Sequence, residues 1–166
     1  MALKPGRPRE RRNIMEDVKR ILVVSRSTEE CKKAFHYGVS LARAYGAELS
    51  ILHIEYDPFD KVGLHYLASL GGFQEEYRAH EKQVREELDA MIREEKAVGM
   101  AIKEMVEQGE PVQQTMEAVK KCGTDLIIMA AHEEGRIERM IYGRSTHEIL
   151  RRLPCSLMLV KGELSP

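Results

Sequence analysis

An alternation of short apolar runs with stretches of helical periodicity constrains this chain more than any other feature. ILVVS (21–25), ELSILHIE (48–55), MAIKEMVE (100–107), DLIIMAA (125–131) and CSLMLVK (155–161) are the length of strands and bounded by polar or turn residues. Between the first two, Ala34, Phe35, Leu41, Ala42 and Tyr45 fall on one helical face, which Ser27 and Glu30 open as a capping box and Gly46 ends. Asp57-Pro58 then breaks the chain, and residues 59–72 read as a loop or short helical insert closing at Gly71-Gly72. A long helix follows to residue 97, with Phe73, Tyr77, Val84, Leu88, Met91 and Ile92 along one stripe. Pro111 starts the third helix and Gly123 ends it; Ser145 and Glu148 cap a fourth, which stops before Pro154. Strands alternating with helices in this way call for a mainly parallel sheet covered on both faces by right-handed crossovers. The third strand alternates enough for an edge, and the fourth, the most apolar, is expected at the centre.

The 166 residues fit one domain with a core of its own, and no internal repeat divides them. Residues 1–17 stand apart, with two prolines, a glycine and the basic Lys4, Arg7, Arg9, Arg11 and Arg12, and read as a flexible basic tail. The domain is expected over residues 18–162, with 163–166 as a short C-terminal tail. A net charge of -1 favours neither nucleic acid nor a membrane surface as partner. No apolar run approaches the roughly 18 residues of a membrane helix, and nothing resembles a signal peptide, so a cytoplasmic location is expected. Cys31, Cys122 and Cys155 lie far apart and read as small buried thiols rather than ligands.

In an open parallel sheet, ligands collect at the carboxyl ends of the strands, near the point where strand order reverses. Residues 26–28 and 130–146 are therefore the candidate site. The loop after the fourth strand ends in Gly143-Arg144-Ser145-Thr146 at the start of a helix, in the manner of a phosphate loop that has lost most of its glycines. His132 and His147 flank it, His53 reads as a hydrogen-bonded core residue, and His36 and His80 as surface or boundary residues. No Cys or carboxylate stands at ligand spacing with His132 or His147, so no metal site is expected. No G-x-S-x-G occurs, and no catalytic set can be argued from residue order. Receiver-domain chemistry needs an acidic cluster after the first strand and an Asp at the end of the third. Ser25-Arg26 and Glu107-Gln108 stand there instead.

With these pieces in order, the sequence resembles a universal stress protein domain. KRILVVSRSTEECKKAFHYGVSLARAYGAELSILHIE follows the family's opening strand, helix and strand without a gap, and GEPVQQTMEAVKKCGTDLIIMAA and GRSTHEILRRLPCSLMLV follow its second half. The resemblance implies a flavodoxin-like three-layer sandwich with strand order 3-2-1-4-5. It further implies a homodimer and a role in stress adaptation rather than defined catalysis. Part of the family binds ATP through an Asp just past the first strand and a G-x2-G-x9-G-[ST] loop after the fourth. Here those positions hold Arg26, Ala130, Glu133, Gly143 and Arg144, so only Gly143 keeps the pattern.

The departures oppose nucleotide binding. Glu133 places a carboxylate where phosphate charge belongs, and Arg26 has no acceptor for a ribose hydroxyl. The expectation is a non-catalytic dimeric regulatory or interaction domain with a degenerate nucleotide site, no cofactor and an unidentified protein partner. The alternative is an ATP- or AMP-binding switch, with slow hydrolysis, that holds phosphate through Gly143, Arg144, Ser145 and Thr146. In order 3-2-1-4-5 Arg26 and Glu133 leave adjacent strand ends, and an ion pair between them would fill the pocket with protein charge. The last strand would be an edge, and Cys155, Leu157, Met158, Leu159 and Val160 offer an uncharged surface on which a two-fold partner strand can pair.

Overall fold

The computed structural model describes residues 18–25, 28–55, 73–131, 148–149 and 151–161, with the side chains of 73, 74 and 77 excepted. Its elements in chain order are β1 (Arg20–Ser25), α1 (Glu29–Tyr45), β2 (Glu48–Glu55), α2 (Phe73–Ala97), β3 (Ile102–Gln108), α3 (Pro111–Cys122), β4 (Leu126–Ala131) and β5 (Ser156–Lys161). The strands form one parallel sheet in the order β3-β2-β1-β4-β5. The architecture is the expected α/β sandwich. β4 lies inside the sheet as its apolarity requires, but the central place belongs to β1, whose residues 21–25 are all buried. Both strongly apolar strands, β1 and β4, are interior because each needs cover on two faces.

Successive residues of β1 feed opposite layers. Ile21 and Val23 join Leu49, Ile51, Leu126 and Ile128 beneath α1 and α2. Leu22 and Val24 join Leu52, Ile54, Ile127 and Met129 against Val112, Ala118 and Val119 of α3 and against Ile149. The two-residue period of a strand thus builds both cores from one run of sequence. Residues 148–149 and 151–152 are helical, and Ile149 there is buried.

Helix ends follow local chemistry. Gly46 and Gly123 take left-handed conformations, φ 63° and 59°, and close α1 and α3. At the start of α3, Pro111 stands where no intrahelical N–H is needed, and the Glu110 side chain accepts from Gln113 N at 2.9 Å. At α1 the expectation needs correcting. The cap is Thr28 rather than Ser27; its side chain makes no cap hydrogen bond, and Thr28 Oγ1 lies 3.3 Å from Cys31 Sγ instead. Starting the helix one residue later moves Glu30 out of the third helical position, so the capping box cannot close.

The buried face of α1 carries Cys31, Ala34, Phe35, Gly38, Val39 and Ala42. Tyr45, expected on that face, is 39% exposed at the last helical position. In α2, Val84, Leu88 and Ile92 are buried and Met91 is half-buried against them. All three cysteines are free; Cys31 is buried, and Cys122 and Cys155 are half-buried. Cys155 precedes β5 rather than opening it.

One polar latch ties the sheet together. The Asp125 carboxylate accepts from Lys19 N at 3.1 Å, Arg20 N at 2.9 Å and the Arg20 guanidinium at 3.4 Å. The Asp125 N–H donates to Arg20 O, and its carbonyl accepts from Ser156 N, so one residue joins the starts of β1, β4 and β5.

The expected N-terminal tail, the 59–72 insert, residues 132–147 of the loop after the fourth strand with the Ser145 cap, and the C-terminal tail lie outside the described residues. Glu148, the other half of that capping box, is paired with Arg152 at 3.1 Å. Among the described residues no helix is long and apolar enough to cross a membrane.

Candidate functional site

The strand order reverses beside β1. β1 pairs with β2 on one side and β4 on the other, in a register that aligns Val24 with Met129. Ser25 and Ala130 therefore follow on neighbouring strands at the carboxyl edge, where the candidate loops leave the sheet. Ser25 is fully buried there. Ala130 is 3% exposed, pairs in register with Val160 of β5 and belongs to the core beneath α1. It is thus a packed strand residue, one position short of the end of β4. Arg26, His132, Glu133, Gly143, Arg144, Ser145 and Thr146 lie outside the described residues, so Ala130 alone of the expected nucleotide set is described.

The surface expected to receive a second copy is described in full. β5 is an edge strand, with Leu157 and Met158 half-buried, Leu159 41% exposed and Val160 buried. No charged side chain interrupts it between Ser156 and Lys161.

A second constellation was not expected. His53 lies on β2, sharing the face of Leu49 and Ile51, which packs beneath α2. Its side chain is 1% exposed, and neither ring nitrogen has a hydrogen-bond partner. The core placement agrees with the sequence reading; the hydrogen bonding expected of it is absent. Asp89 of α2 and Glu104 of β3 point toward it. Asp89 Oδ1 is 4.0 Å from His53 Nε2, and one donor atom from each of the three residues falls within 4.8 Å of the others. Register explains the gathering: Ile51 pairs with Glu104, so Glu104 takes the same face of the sheet as His53, one step along on the edge strand.

Burial, and after it the Arg85 guanidinium, hold the His53 pKa down at about 4, against the opposing pull of Asp89, Glu104 and Glu55. The imidazole is therefore neutral at pH 7, with one nitrogen able to accept. The two carboxylates already have cations. Arg85 Nε lies 3.2 Å from Asp89 Oδ1, and Lys96 is paired with Glu104 Oε1. A basic groove of about 700 Å³ opens beyond Lys96, lined also by Lys103, Met100 and Gly46 at the amino ends of β2 and β3. It lies at the end of the sheet away from the candidate loops.

Sequence order could not bring His53, Asp89 and Glu104 together, since they come from three elements. Weak signals were present. His53 interrupts an apolar strand, Asp89 sits beside Leu88 of the buried stripe, and Glu104 occupies an inward parity on an edge strand.

No curated protein sequence matches closely enough to count as a relative. Among solved structures, the chain resembles the universal stress protein UspA from Lactobacillus plantarum, at 21% identity and a TM-score of 0.60, over 86% of this chain and 97% of that one. It also resembles a universal stress protein in complex with cAMP, at 18% identity and a TM-score of 0.55, over 87% of this chain and 97% of that one. A universal stress protein family member from Arabidopsis thaliana with AMP bound matches at 14% identity and a TM-score of 0.53, over 87% and 92%. Identities this low speak for the shared fold alone. The sequence pattern of the Universal stress protein family, however, matches residues 17–161, nearly the whole chain. The chain belongs to the universal stress protein family.

Proposed function

We propose that this protein is a dimeric, non-catalytic regulatory or interaction domain of stress adaptation, cytoplasmic, whose ancestral nucleotide site has degenerated. The observation that carries the reading is Ala130. Where ATP-binding members of the family have the first glycine of their loop, this chain has a side chain buried in β4 and packed into the core. Arg26, Glu133 and Arg144 depart from the same pattern. A carboxylate at 133 repels phosphate, and an arginine at 26 removes the acceptor a ribose needs.

Arg26 and Glu133 follow the carboxyl ends of adjacent strands, and the proposal pairs them across the mouth of the site. The pair acts by exclusion, since a partly exposed ion pair contributes only about 0–1 kcal/mol of stability. Calorimetry of the full chain with ATP, ADP and AMP is the direct test, with no binding expected at micromolar ligand. Micromolar affinity for any of the three overturns the degenerate-site reading. Arg26→Asp combined with Glu133→Gly is expected to restore measurable ATP binding; no gain means that loop shape, not charge, excludes the nucleotide.

A second reading has one observation in its favour: two relatives of the same fold are described with cAMP and with AMP bound. On this reading the chain is an ATP- or AMP-dependent switch that holds phosphate through Gly143, Arg144, Ser145 and Thr146 at a helix start. Binding that disappears in Ser145→Ala and Arg144→Ala would establish it.

Assembly is proposed through β5. Leu157, Met158, Leu159 and Val160 form an edge without an internal charge, and pairing with a two-fold copy closes it.

A further inference from the structure

His53 poses a problem that the nucleotide site does not touch. A buried imidazole with two unpartnered nitrogens is costly, and native proteins rarely leave such a group without a hydrogen-bond partner, a water or an ion. The side chain is 1% exposed and faces two carboxylates whose oxygens lie within ligand-gathering distance. In a bare hydrogen-bonded His–Asp pair the two groups would stand about 2.7–3.2 Å apart. At 4.0 Å, Asp89 Oδ1 is too far for that, so the nearest carboxylate oxygen leaves the imidazole unpaired.

We propose that His53, Asp89 and Glu104 form a binding site for one first-row divalent transition ion, of which Zn2+ fits best. One ring nitrogen and one oxygen from each carboxylate serve as protein ligands, and solvent completes the shell. Ligand bonds of about 2.0–2.2 Å bring neighbouring donors to roughly 3.3 Å in a tetrahedral site. The present spread of up to 4.8 Å therefore has to close by about 1.5 Å. Asp89 and Glu104 side chains are 30% and 38% exposed, so rotation about their own torsions accomplishes this without moving the core.

The charges also match. A neutral imidazole and two carboxylates offset a divalent ion, and a mixed nitrogen and oxygen set suits Zn2+ better than the all-oxygen preference of Ca2+ or Mg2+. Lys96 holds Glu104 Oε1, which leaves Oε2 for the ion. Arg85 shares Asp89 Oδ1 and is the group that an incoming ion displaces. With three protein ligands drawn from β2, α2 and β3, a bound ion cross-links the edge strand to its covering helix.

The test titrates the full chain, stripped with chelator, with Zn2+ by calorimetry and with Co2+ by visible absorption, while NMR follows the His53 imidazole. The expected result is one equivalent bound, a tetrahedral Co2+ spectrum and a shift confined to His53 among the six histidines. Glu104→Gln and Asp89→Asn, both on partly exposed side chains, should each weaken binding by more than about tenfold. Arg85→Gln, which removes the competing cation, should tighten it. No binding at millimolar Zn2+ overturns the proposal. So does binding that leaves His53 unshifted, or that survives Glu104→Gln unchanged, because the ion then sits elsewhere.

Discussion

The two edges of the sheet expose similar amounts of apolar side chain but differ in what surrounds it. On β3, Val106 is 48% exposed, and its strand carries Lys103, Glu104 and Glu107. On β5, Leu159 is 41% exposed within an apolar run that meets no charge before Lys161. Charged side chains along an edge deter a second strand, because pairing would have to desolvate them. The β3 edge is protected in this way and the β5 edge is not. Exposure of one apolar residue therefore says little about an interface; the absence of charge along the strand says more.

The helices covering the two edges differ as well. α1 approaches the central strands and β5 closely, and Gly38 shows how closely: an added Cβ there would stand 2.5 Å from Val23 Cγ2. α2 stands further from β2 and β3 and fills the distance with Leu88 and Ile92. That standoff is where His53 meets Asp89 and Glu104.

The largest effect expected on this contrast is at the β5 edge. In the proposed β5 dimer, Leu159→Lys would bring two like charges together across the two-fold axis, a cost of several kcal/mol that should raise the dissociation constant by about 100-fold or more. Val106→Lys on the other edge should leave assembly unchanged. Sedimentation velocity on both variants checks the pair, and a parent chain that is monomeric at micromolar concentration breaks the comparison outright.

Next in size is Asp125→Ala, which cuts the latch at the β5 side of the sheet. Hydrogen bonds to a charged group contribute about 1.5–3 kcal/mol, so urea unfolding should show a loss of about 2 kcal/mol. The effect depends on pH in a definite direction. Burial raises the Asp125 pKa, but the Arg20 side chain and the Lys19 and Arg20 N–H groups outweigh it and hold the carboxyl below its ordinary 3.8. A carboxyl depressed by folding contributes stability above 3.8 and loses that contribution as pH falls through its lower folded value. The gap between parent and Asp125→Asn should thus be full at pH 7 and shrink below pH 3.8.

Gly38→Ala sharpens the contrast between the covering helices. Overpacking costs about 1–3 kcal/mol, while replacing a mid-helix glycine returns up to about 1 kcal/mol, so a net loss of about 1–2 kcal/mol is expected. A stabilised variant would mean that Val23 yields freely and α1 is not closely seated. The smallest effect belongs to Lys96→Ala on the β3 side. Its pair with Glu104 is 41% and 38% exposed, and breaking it should change stability by about 0.5 kcal/mol or less in thermal melts.

Much of this fold was legible along the chain because its signals are local. Strand-length apolar runs, the stripes of α1 and α2, and the stop residues Gly46 and Gly123 all act within a few residues of themselves. Errors arose where local rules compete. Ser27 and Glu30 satisfy the capping pattern as well as any pair could, yet α1 begins after Thr28. Tyr45 has the right helical phase for burial but stands at the helix end, beyond the cover of neighbouring elements. Of the nucleotide site, the sequence displayed which positions depart from the family pattern; the structure adds that Ala130 is a packed strand residue.

By itself, then, the sequence determined the kind and order of the elements, the polarity of each edge and the family. Periodicity, turn chemistry and charge along a strand are properties of contiguous residues. Only the tertiary structure decided that His53 would lack a partner, and that carboxylates 36 and 51 positions further along would turn toward it. The parallel register sets Glu104 inward beside β2, and the seating of α2 lowers Asp89 over the same spot. Neither placement is encoded near His53, because the pairing of parallel strands and the docking of their crossover helices are settled between distant parts of the chain.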